Sequence, residues 1–177
     1  MVNFKIFQIP FEEKLILLDQ PDTLTNILAF SPTGKVPVLI DDQFVVWDSL
    51  AIAEYLNEKF PLKNLWPKDF QARAHARSVA NEMHSGFSTL RELLPHDIQR
   101  EVKNFDVGKA KGDIDRIKSI WRDCLQKYGG PFLFGNFSIA DAMYAPGVNR
   151  FKSYAVPLSG DVQKYAENMR SLKELNE

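Results

Sequence analysis

The stretch of residues 31–56 constrains the fold more than any other part of this chain. It reads SPTGKVPVLIDDQFVVWDSLAIAEYL, with the chain breakers Pro32 and Gly34 near its start. These two residues predict a turn, and the β-branched run at 36–40 predicts a short strand. A second run at 44–47 predicts another strand, close enough to the first to pair with it as a β-hairpin.

A helix is predicted directly after the hairpin. Asp48 or Ser49 can serve as its N-cap, because either side chain can accept hydrogen bonds from the free N–H groups of the first turn. Lys59 suits the last turn of such a helix, and Pro61 ends it. The apolar residues of this helix recur at helical spacing and form one stripe: Leu50, Ile52, Ala53, Leu56 and Phe60.

This order of elements has a chemical consequence. Pro37 has no N–H to donate to a sheet, and a cis bond between Val36 and Pro37 turns the N–H and C=O of Val36 outward, toward a peptide ligand. The helix start at Asp48 and Ser49 offers free N–H groups and the positive end of the helix dipole, which together suit a carboxylate. The stretch therefore predicts a site for a small extended peptide, with its backbone at Val36 and its carboxylate at Ser49.

Two motifs in this stretch, GKVPVL at 34–39 and DSLAIAEYL at 48–56, closely resemble those of the glutathione transferases. A lone Val-Pro pair would carry little weight, but the ordered set of turn, strand, acidic-Ser cap and helix is specific. The resemblance implies that Pro37 is a cis proline and that Val36 hydrogen-bonds the cysteinyl part of glutathione.

The resemblance also assigns roles to three polar residues. Asp48 and Ser49 are expected to hold the carboxylate and the amine of the γ-glutamyl part of glutathione. Many members have Glu-Ser at this place, and Asp48 is a shorter carboxylate with the same charge. Lys35 is either a further glutathione contact, as is often found at this position of the family, or a solvated turn residue.

The fold that the resemblance implies has two domains. We expect an incomplete thioredoxin-like α/β domain that binds glutathione at residues 1–61, and an all-helical glutathione transferase C-terminal domain at residues 69–177. Between them, residues 62–68 are predicted to be a linker, because the sequence around them carries two prolines and no periodicity.

A second motif in the helical half resembles the family independently of the first. Ser138 and Asp141 have the spacing of a capping box, with Asp in place of the usual Glu, and Phe137 can pack as a staple against Ala142. This arrangement resembles the start of the core helix of the transferase C-terminal domain. We therefore expect Ser138 and Asp141 to be structural, and capping explains Asp141 without a catalytic role.

Apolar residues at helical spacing predict the other elements of this half. The predicted elements are a long helix at 69–94, a short helix at 97–105, a flexible segment at 108–113, and helices at 114–128 and 162–175. The helix after the capping box continues past Pro146, which we expect to kink it.

The N-terminal residues leave alternatives open. Residues 2–8 alternate like a strand but also fit a helix end, while 14–18 predict a strand and 24–30 a short helix. Residues 9–13 resemble the family segment that follows the first helix. In the family, a whole strand, most of a helix and the Ser, Tyr or Cys that activates the glutathione thiol precede that segment, whereas this chain has eight residues there. Either the N-terminus is shortened, with Met1 an internal methionine of a longer protein, or residues 2–8 act as a makeshift strand.

We favour the shortened N-terminus, because a sheet without its middle strand leaves backbone groups unpaired at about 1–3 kcal/mol each. No residue before Ile9 matches the thiol-activating motif of the family. The catalytic residue is therefore unknown from this sequence.

Composition narrows the function classes. The chain has 177 residues, 45% hydrophobic and 25% charged, as in an ordinary soluble globular protein. Its net charge is −1 and its basic residues form no long run, so nucleic acid is not an expected partner. No apolar run approaches membrane-spanning length, and no signal peptide is recognisable. With a single cysteine and hence no internal disulfide, we expect a cytoplasmic protein.

Other chemically active residues have plain structural explanations. No metal site is expected, because metal-ligand spacing is absent around the three histidines: His75, His84 and His96. In the family, the helix that carries Met83, His84 and Phe87 walls the electrophile pocket, so these are candidate substrate contacts, although core packing explains each as well. Cys124 lies on the apolar stripe of its helix and is expected to be a buried structural thiol.

The resemblance implies an activity. Family members transfer the glutathione thiolate to an electrophilic carbon, and near relatives of the zeta class use glutathione as a cofactor for the cis–trans isomerisation of maleylacetoacetate. We therefore expect a glutathione transferase or glutathione-dependent isomerase that acts on a small electrophile as a homodimer. The alternative is a non-catalytic protein of the same fold that binds partners, because the thiol-activating residue is missing.

Overall fold

The computed structural model describes residues 2–97, 101–102 and 104–175. The chain divides into two units, the first spanning Asn3–Lys63 and the second beginning at Asn64. This division falls inside the predicted linker segment at 62–68. Each unit has its own buried residues.

The hairpin and the helix after it form as the sequence predicts. Strands β1 (Val38–Asp41) and β2 (Phe44–Trp47) pair antiparallel, with Val38 opposite Trp47 and Asp41 opposite Phe44. Helix α3 (Ser49–Lys59) follows directly. Its apolar stripe is anchored by three buried residues: Ile52, Ala53 and Leu56.

Helix α3 packs on one face of the hairpin through an aromatic and ionic contact. The Tyr55 hydroxyl donates to the Asp41 carboxylate, and the Lys59 ammonium binds the same oxygen. The Tyr55 ring also lies 5.7 Å from that of Phe44, the strand partner of Asp41. Hydrogen bonding to Lys59 holds the pKa of the Asp41 carboxyl below its usual value. The face that carries Val38 and Ile40 therefore points away from α3.

Before the hairpin, the chain forms two short helices, α1 (Val2–Ile6) and α2 (Thr23–Leu28). Helix α2 confirms the prediction for residues 24–30. For residues 2–8, the helical alternative is right and the makeshift strand is wrong. The predicted strand at 14–18 is also wrong, because these residues belong to no strand. An apolar run becomes a strand only when a neighbour supplies hydrogen bonds, and the sheet in the described residues has two strands, β1 and β2.

The second unit is helical. Its helices are α4 (Phe70–Ser85), α5 (Ser88–Leu93), α6 (Lys111–Tyr128), α7 (Ile139–Ser153) and α8 (Gly160–Ser171). The Trp121 ring is fully buried at the centre of an aromatic cluster, 5.0–6.0 Å from the rings of Tyr144, Phe151 and Tyr165. This cluster joins α6, α7 and α8, so burial of large apolar surface holds the unit together.

Three predictions for the second unit are wrong in detail. The long helix at 69–94 is interrupted, because Gly86 ends α4 in an extended conformation and Phe87 adopts a left-handed backbone with φ 59° before α5 begins. The segment 108–113, predicted to be flexible, forms a 3₁₀ turn at Gly108–Ala110 and the start of α6. The described residues of 97–105 contain no helix; residues 98–100 and 103 lie outside the described part.

The capping box at the start of α7 is confirmed. Asp141 is fully buried, and its carboxylate accepts hydrogen bonds from the Ser138 N–H at 2.9 Å, the Ser138 hydroxyl at 3.0 Å and the Leu133 N–H at 3.0 Å. Burial raises the pKa of Asp141 to about 6, although these hydrogen bonds oppose the rise. Pro146 lies inside α7, which continues to Ser153.

A polar contact between His75 and Tyr128 connects α4 with the end of α6. His75 Nδ1 lies 2.9 Å from the Tyr128 hydroxyl, and the His75 ring meets the Phe134 ring edge-on at 5.6 Å. Burial lowers the pKa of His75, and the charge of Lys127 lowers it further. The contact therefore favours the neutral imidazole.

Replacing His75 tests this contact. The folded pKa of His75 lies below that of the unfolded chain, so its stabilisation is present above about pH 6.5 and is lost as the pH falls. We expect His75→Ala to lower the free energy of unfolding by about 1–2 kcal/mol at pH 8, from one hydrogen bond and one aromatic contact. The loss should be smaller at pH 5.5. Urea unfolding at the two pH values measures both, and equal losses would contradict the account.

Candidate functional site

The hairpin register brings the predicted peptide-binding residues to one place. Val38 is opposite Trp47, so the chain enters β1 and leaves β2 at the same end of the hairpin. Val36 and Pro37 directly precede β1, and Asp48 and Ser49 directly follow β2. The two chain segments at the open end of an antiparallel hairpin lie side by side. The backbone of Val36 and the first turn of α3 therefore share one end of the first unit.

The strand side of this end consists of Val36 and Pro37. The Val36-Pro37 bond is cis, and the Val36 side chain is 45% exposed. The turn before it depends on Gly34, whose φ of 64° lies in the left-handed region that favours glycine. A Cβ atom at Gly34 would stand 2.9 Å from Leu24 Cδ1 of α2, so a side chain there would require Leu24 to move.

The helix side is formed by Asp48, which caps α3. Its Oδ1 accepts the N–H of Leu50 at 2.9 Å and of Ala51 at 3.1 Å. The Asp48 backbone has φ 76° and ψ 131°, an unfavourable conformation for a residue with a side chain. Such strain costs on the order of 1–3 kcal/mol and collects at functional sites. Asp48 is therefore both a structural cap and a candidate binding residue.

Ser49 offers two hydrogen-bond donors at this end of the hairpin. It is the first residue of α3 and is half-buried. Within the described part of the chain, neither its N–H nor its hydroxyl has a hydrogen-bond partner. Asp48 caps the next two N–H groups, those of Leu50 and Ala51, and leaves the N–H of Ser49 uncapped. Two donors at a helix N-terminus are well suited to a carboxylate.

Lys35 lies on the turn at the edge of this site. The residue is exposed, and its N–H donates to the Thr33 hydroxyl at 3.3 Å. The Thr33 hydroxyl in turn lies 3.0 Å from that of Ser31, which is fully buried. These hydrogen bonds hold the backbone of the turn before Val36, and the exposed Lys35 side chain extends from that turn.

The candidate substrate residues of the helical unit are placed differently. Met83 and Phe87 are buried, 3% and 8% exposed, while His84 is half-buried. The Met83 methyl group lies close to α7, 3.1 Å from the position of a Cβ on Gly147. Core packing accounts for Met83 and Phe87. Cys124 is buried, and burial raises the pKa of its thiol to about 12, so it is an unreactive structural thiol.

The described residues were also compared with the requirements of a metal site and of a membrane-spanning helix. Among the described side chains, no group of three or more His, Cys, Asp or Glu residues could hold a metal ion. None of the described helices is long and apolar enough to cross a membrane.

Two residues that support the site were missed from the sequence. Tyr55 and Lys59 both bind Asp41 at the end of β1, and they fix how α3 lies on the hairpin that carries Val36. Their spacing of four residues puts both on one face of a helix. The four-residue spacing indicates from the sequence that Tyr55 and Lys59 act together, but it does not identify Asp41 as their partner.

Comparison with known proteins identifies the family of this chain. Residues 4–59 match the family model of the glutathione S-transferase N-terminal domain. The chain is 34% identical over 142 residues to a glutathione S-transferase 1 of Dianthus caryophyllus, an alignment covering 78% of this chain and 64% of that protein. It is 30% identical over 148 residues to a probable maleylacetoacetate isomerase of Caenorhabditis elegans, covering 81% of this chain and 69% of that protein.

A solved structure shows the same fold. A glutathione transferase homologue from a Burkholderia species, strain BGR1, crystallised with bound glutathione, superimposes with a TM-score of 0.72 at 26% sequence identity. The superposition covers 98% of this chain and 84% of that one. The fold is thus a thioredoxin-like domain followed by a helical domain. By sequence and by fold, the chain belongs to the glutathione S-transferase family.

Proposed function

We propose that this chain binds glutathione at the open end of the hairpin and transfers its thiol to small electrophiles, or uses it as a cofactor for isomerisation. The observation that carries the proposal is that Val36, directly before β1, and the start of α3 at Asp48 and Ser49, directly after β2, flank the same end of the hairpin. The backbone of Val36 pairs with the cysteinyl part. The donors of Ser49 take the γ-glutamyl carboxylate, and Asp48 takes the amine.

The remaining assignments extend this proposal. Lys35 adds a positive charge beside the site, where it contacts the anionic ligand. Of the candidate substrate residues Met83, His84 and Phe87, His84 is the one exposed enough to contact an electrophile, and the buried Met83 and Phe87 support it from the core. The protein acts as a homodimer.

A second candidate function is glutathione binding without catalysis. The observation in its favour is that both serines of the described first unit have other surroundings. Ser31 is fully buried beside Thr33, and Ser49 belongs to the carboxylate site. Conjugation and binding must therefore be measured separately.

Calorimetric titration tests the binding claim. We expect glutathione to bind with a dissociation constant of micromolar to millimolar size, and cysteinylglycine, which lacks the γ-glutamyl group, to bind at least tenfold more weakly. Equal affinity for the two peptides would remove the role of Asp48 and Ser49. Conjugation of glutathione to an aromatic halide, measured on the same preparation, separates the two candidate functions.

Ser49 offers a matched pair of variants. Ser49→Ala removes the hydroxyl but keeps the N–H, so we expect glutathione affinity to fall about tenfold, as for the loss of one hydrogen bond to a charged group. Ser88→Ala, at the first residue of α5 in the other unit, is the control and should leave the affinity unchanged.

A further inference from the structure

A buried arginine of the second unit has no carboxylate partner. Arg150, on α7, is 8% exposed, and it is the one buried lysine or arginine of the described residues. Its Nε donates to the Leu94 carbonyl at 2.8 Å. Its two terminal nitrogens, Nη1 and Nη2, bond to no described residue, and neither is fully shielded from solvent. Because arginine is rarely buried without a paired anion, these two nitrogens are candidate donors to a ligand.

A second arginine stands close to the first. Burial lowers the pKa of Arg150 and the positive charge of Arg91 lowers it further, while Tyr154 opposes the shift. The Arg91 side chain donates to two backbone carbonyls near the end of α4, that of Gly86 at 3.2 Å and that of Met83. The ion pairs found in the described part of the chain include neither arginine. The two guanidinium groups therefore repel each other without a carboxylate to offset them.

A third basic side chain lies beside Arg150. His96 is exposed, and the loss of solvation followed by the charge of Arg150 lowers its pKa, while the charge of Asp97 opposes this. Asp97 is the one carboxylate whose charge shifts the pKa of either Arg150 or His96. Arg91, His96 and Arg150, here called the basic junction, thus have an excess of positive charge.

Hydrogen bonds hold the segment that carries His96 against the end of α7. The Ser153 hydroxyl donates to the Asp97 carbonyl at 3.1 Å, and the Tyr154 hydroxyl donates to the Pro95 carbonyl at 3.4 Å. These bonds fix the backbone of the junction and leave the terminal nitrogens of Arg150 unused. A ligand would therefore meet donors that are already positioned, which reduces the ordering cost of binding.

A structural role explains only part of Arg150. Cations near the C-terminus of a helix stabilise its last carbonyls, and Leu94 directly follows α5. The single N–H at Nε serves that purpose. A carbonyl group does not neutralise a buried charge, and an unpaired buried charge is costly. The charge of Arg150 and its two terminal nitrogens are left for an anion from outside the chain.

We propose that the basic junction binds a small organic acid through a carboxylate group. Nη1 and Nη2 of Arg150 form a planar pair of donors that matches the two oxygens of one carboxylate. Arg91 adds a second positive charge beside this pair, which favours a dicarboxylate over a monocarboxylate. All residues of the junction belong to the second unit, so the proposal stands whether or not glutathione binds.

A succinate titration tests the proposal, with ¹⁵N NMR signals of the arginine Nε–H groups as the readout and sodium chloride keeping the ionic strength constant. We expect the Arg150 signal, identified by its loss in Arg150→Lys, to shift with a dissociation constant of about 1–10 mM. The backbone amide of His96 should shift with the same constant. Acetate, with one carboxylate, should bind at least about threefold more weakly.

Arg150→Lys keeps the positive charge but loses the paired donors. Its affinity for succinate, followed at the His96 amide, should fall at least about tenfold. Arg116→Lys is the matched control, because Arg116 is an exposed arginine of the same unit whose guanidinium already binds the Glu82 carboxylate at 2.6 and 2.9 Å. It should bind succinate like the parent.

Arg91→Gln keeps the test decisive if Arg150→Lys does not fold. The Arg91 side chain is exposed, so its replacement disturbs the core little. Loss of its charge should weaken succinate binding at least about threefold. Urea unfolding of each variant shows which of them are folded.

Four results would overturn the proposal. An Arg150 signal that does not move at about 50 mM succinate shows that the junction holds no anion. A folded Arg150→Lys or Arg91→Gln protein that binds succinate like the parent places the anion elsewhere. Acetate that binds as tightly as succinate removes the role of the second charge. Inorganic phosphate that binds as tightly as succinate shows a general attraction for anions instead of carboxylate recognition.

Discussion

Asp48→Asn should weaken glutathione binding tenfold to a hundredfold and leave the free energy of unfolding within about 0.5 kcal/mol of the parent. Asparagine caps helices as well as aspartate does, and it has the same side-chain shape, so the strain of the Asp48 backbone is the same in the variant. The substitution therefore keeps the hydrogen bonds to Leu50 and Ala51 but removes the charge that would pair with the ligand amine. A hydrogen bond to a charged group contributes about 1.5–3 kcal/mol.

Asp48→Ala separates the two roles of this residue. It removes the cap as well as the charge, so we expect the affinity to fall at least as far and the free energy of unfolding to drop by about 1–2 kcal/mol. Asp69→Asn is the matched control, because Asp69 caps α4 by accepting the Ala72 N–H at 2.8 Å. It should change neither property. Retention of full affinity by Asp48→Asn would exclude a charge contact with the ligand.

Asp141→Ala should cost about 3 kcal/mol of unfolding free energy at pH 7. It leaves two buried N–H groups without acceptors, those of Leu133 and Ser138, and each such group costs about 1–3 kcal/mol. Chemical denaturation monitored by tryptophan fluorescence suits this measurement, because Trp121 is fully buried in the same unit.

The cost should grow as the pH falls. The folded pKa of Asp141, about 6, lies above the ordinary value near 3.9 for an unfolded chain. Its extra stabilisation is fully present below the lower value and is lost as the pH rises through the upper one. A shift of about two pKa units corresponds to about 3 kcal/mol, so the loss on Asp141→Ala should be clearly larger at pH 5 than at pH 8.

Ser138→Ala is the comparison for this trend. It removes one hydroxyl bond to the Asp141 carboxylate but keeps the titrating group and both backbone bonds. We expect a loss of about 1 kcal/mol, with little change between the two pH values. A loss on Asp141→Ala that stays constant with pH would show that the carboxyl is not perturbed in the folded state.

Local signals were enough to predict the site region. The turn residues, the two short strands and the acidic cap lie within one stretch, and each is specified by its own neighbours in sequence. Asp48 in particular is a cap in the structure, and its proposed binding role follows from the same position between strand and helix. The capping box of Ser138 and Asp141 was predictable for the same reason, because its partners are three residues apart.

Features that depend on distant partners were not predictable. Residues 14–18 have the composition of a strand, but whether they form one depends on a neighbour that the sequence pattern cannot name. The interruption at Gly86 and Phe87 falls inside an unbroken helical pattern, so periodicity alone extended the helix to Leu94. The contact of Tyr55 and Lys59 with Asp41 likewise joins residues that only the fold brings together.

An amide NMR titration of the ¹⁵N-labelled protein with glutathione tests the central claim most directly. The account predicts that the largest shifts occur at the N–H groups of Lys35, Val36, Ser49 and Leu50, and that they are lost in Asp48→Asn at the same ligand concentration. Shifts centred in the second unit, or the absence of binding at millimolar glutathione, would contradict the assignment of the peptide site to the open end of the hairpin.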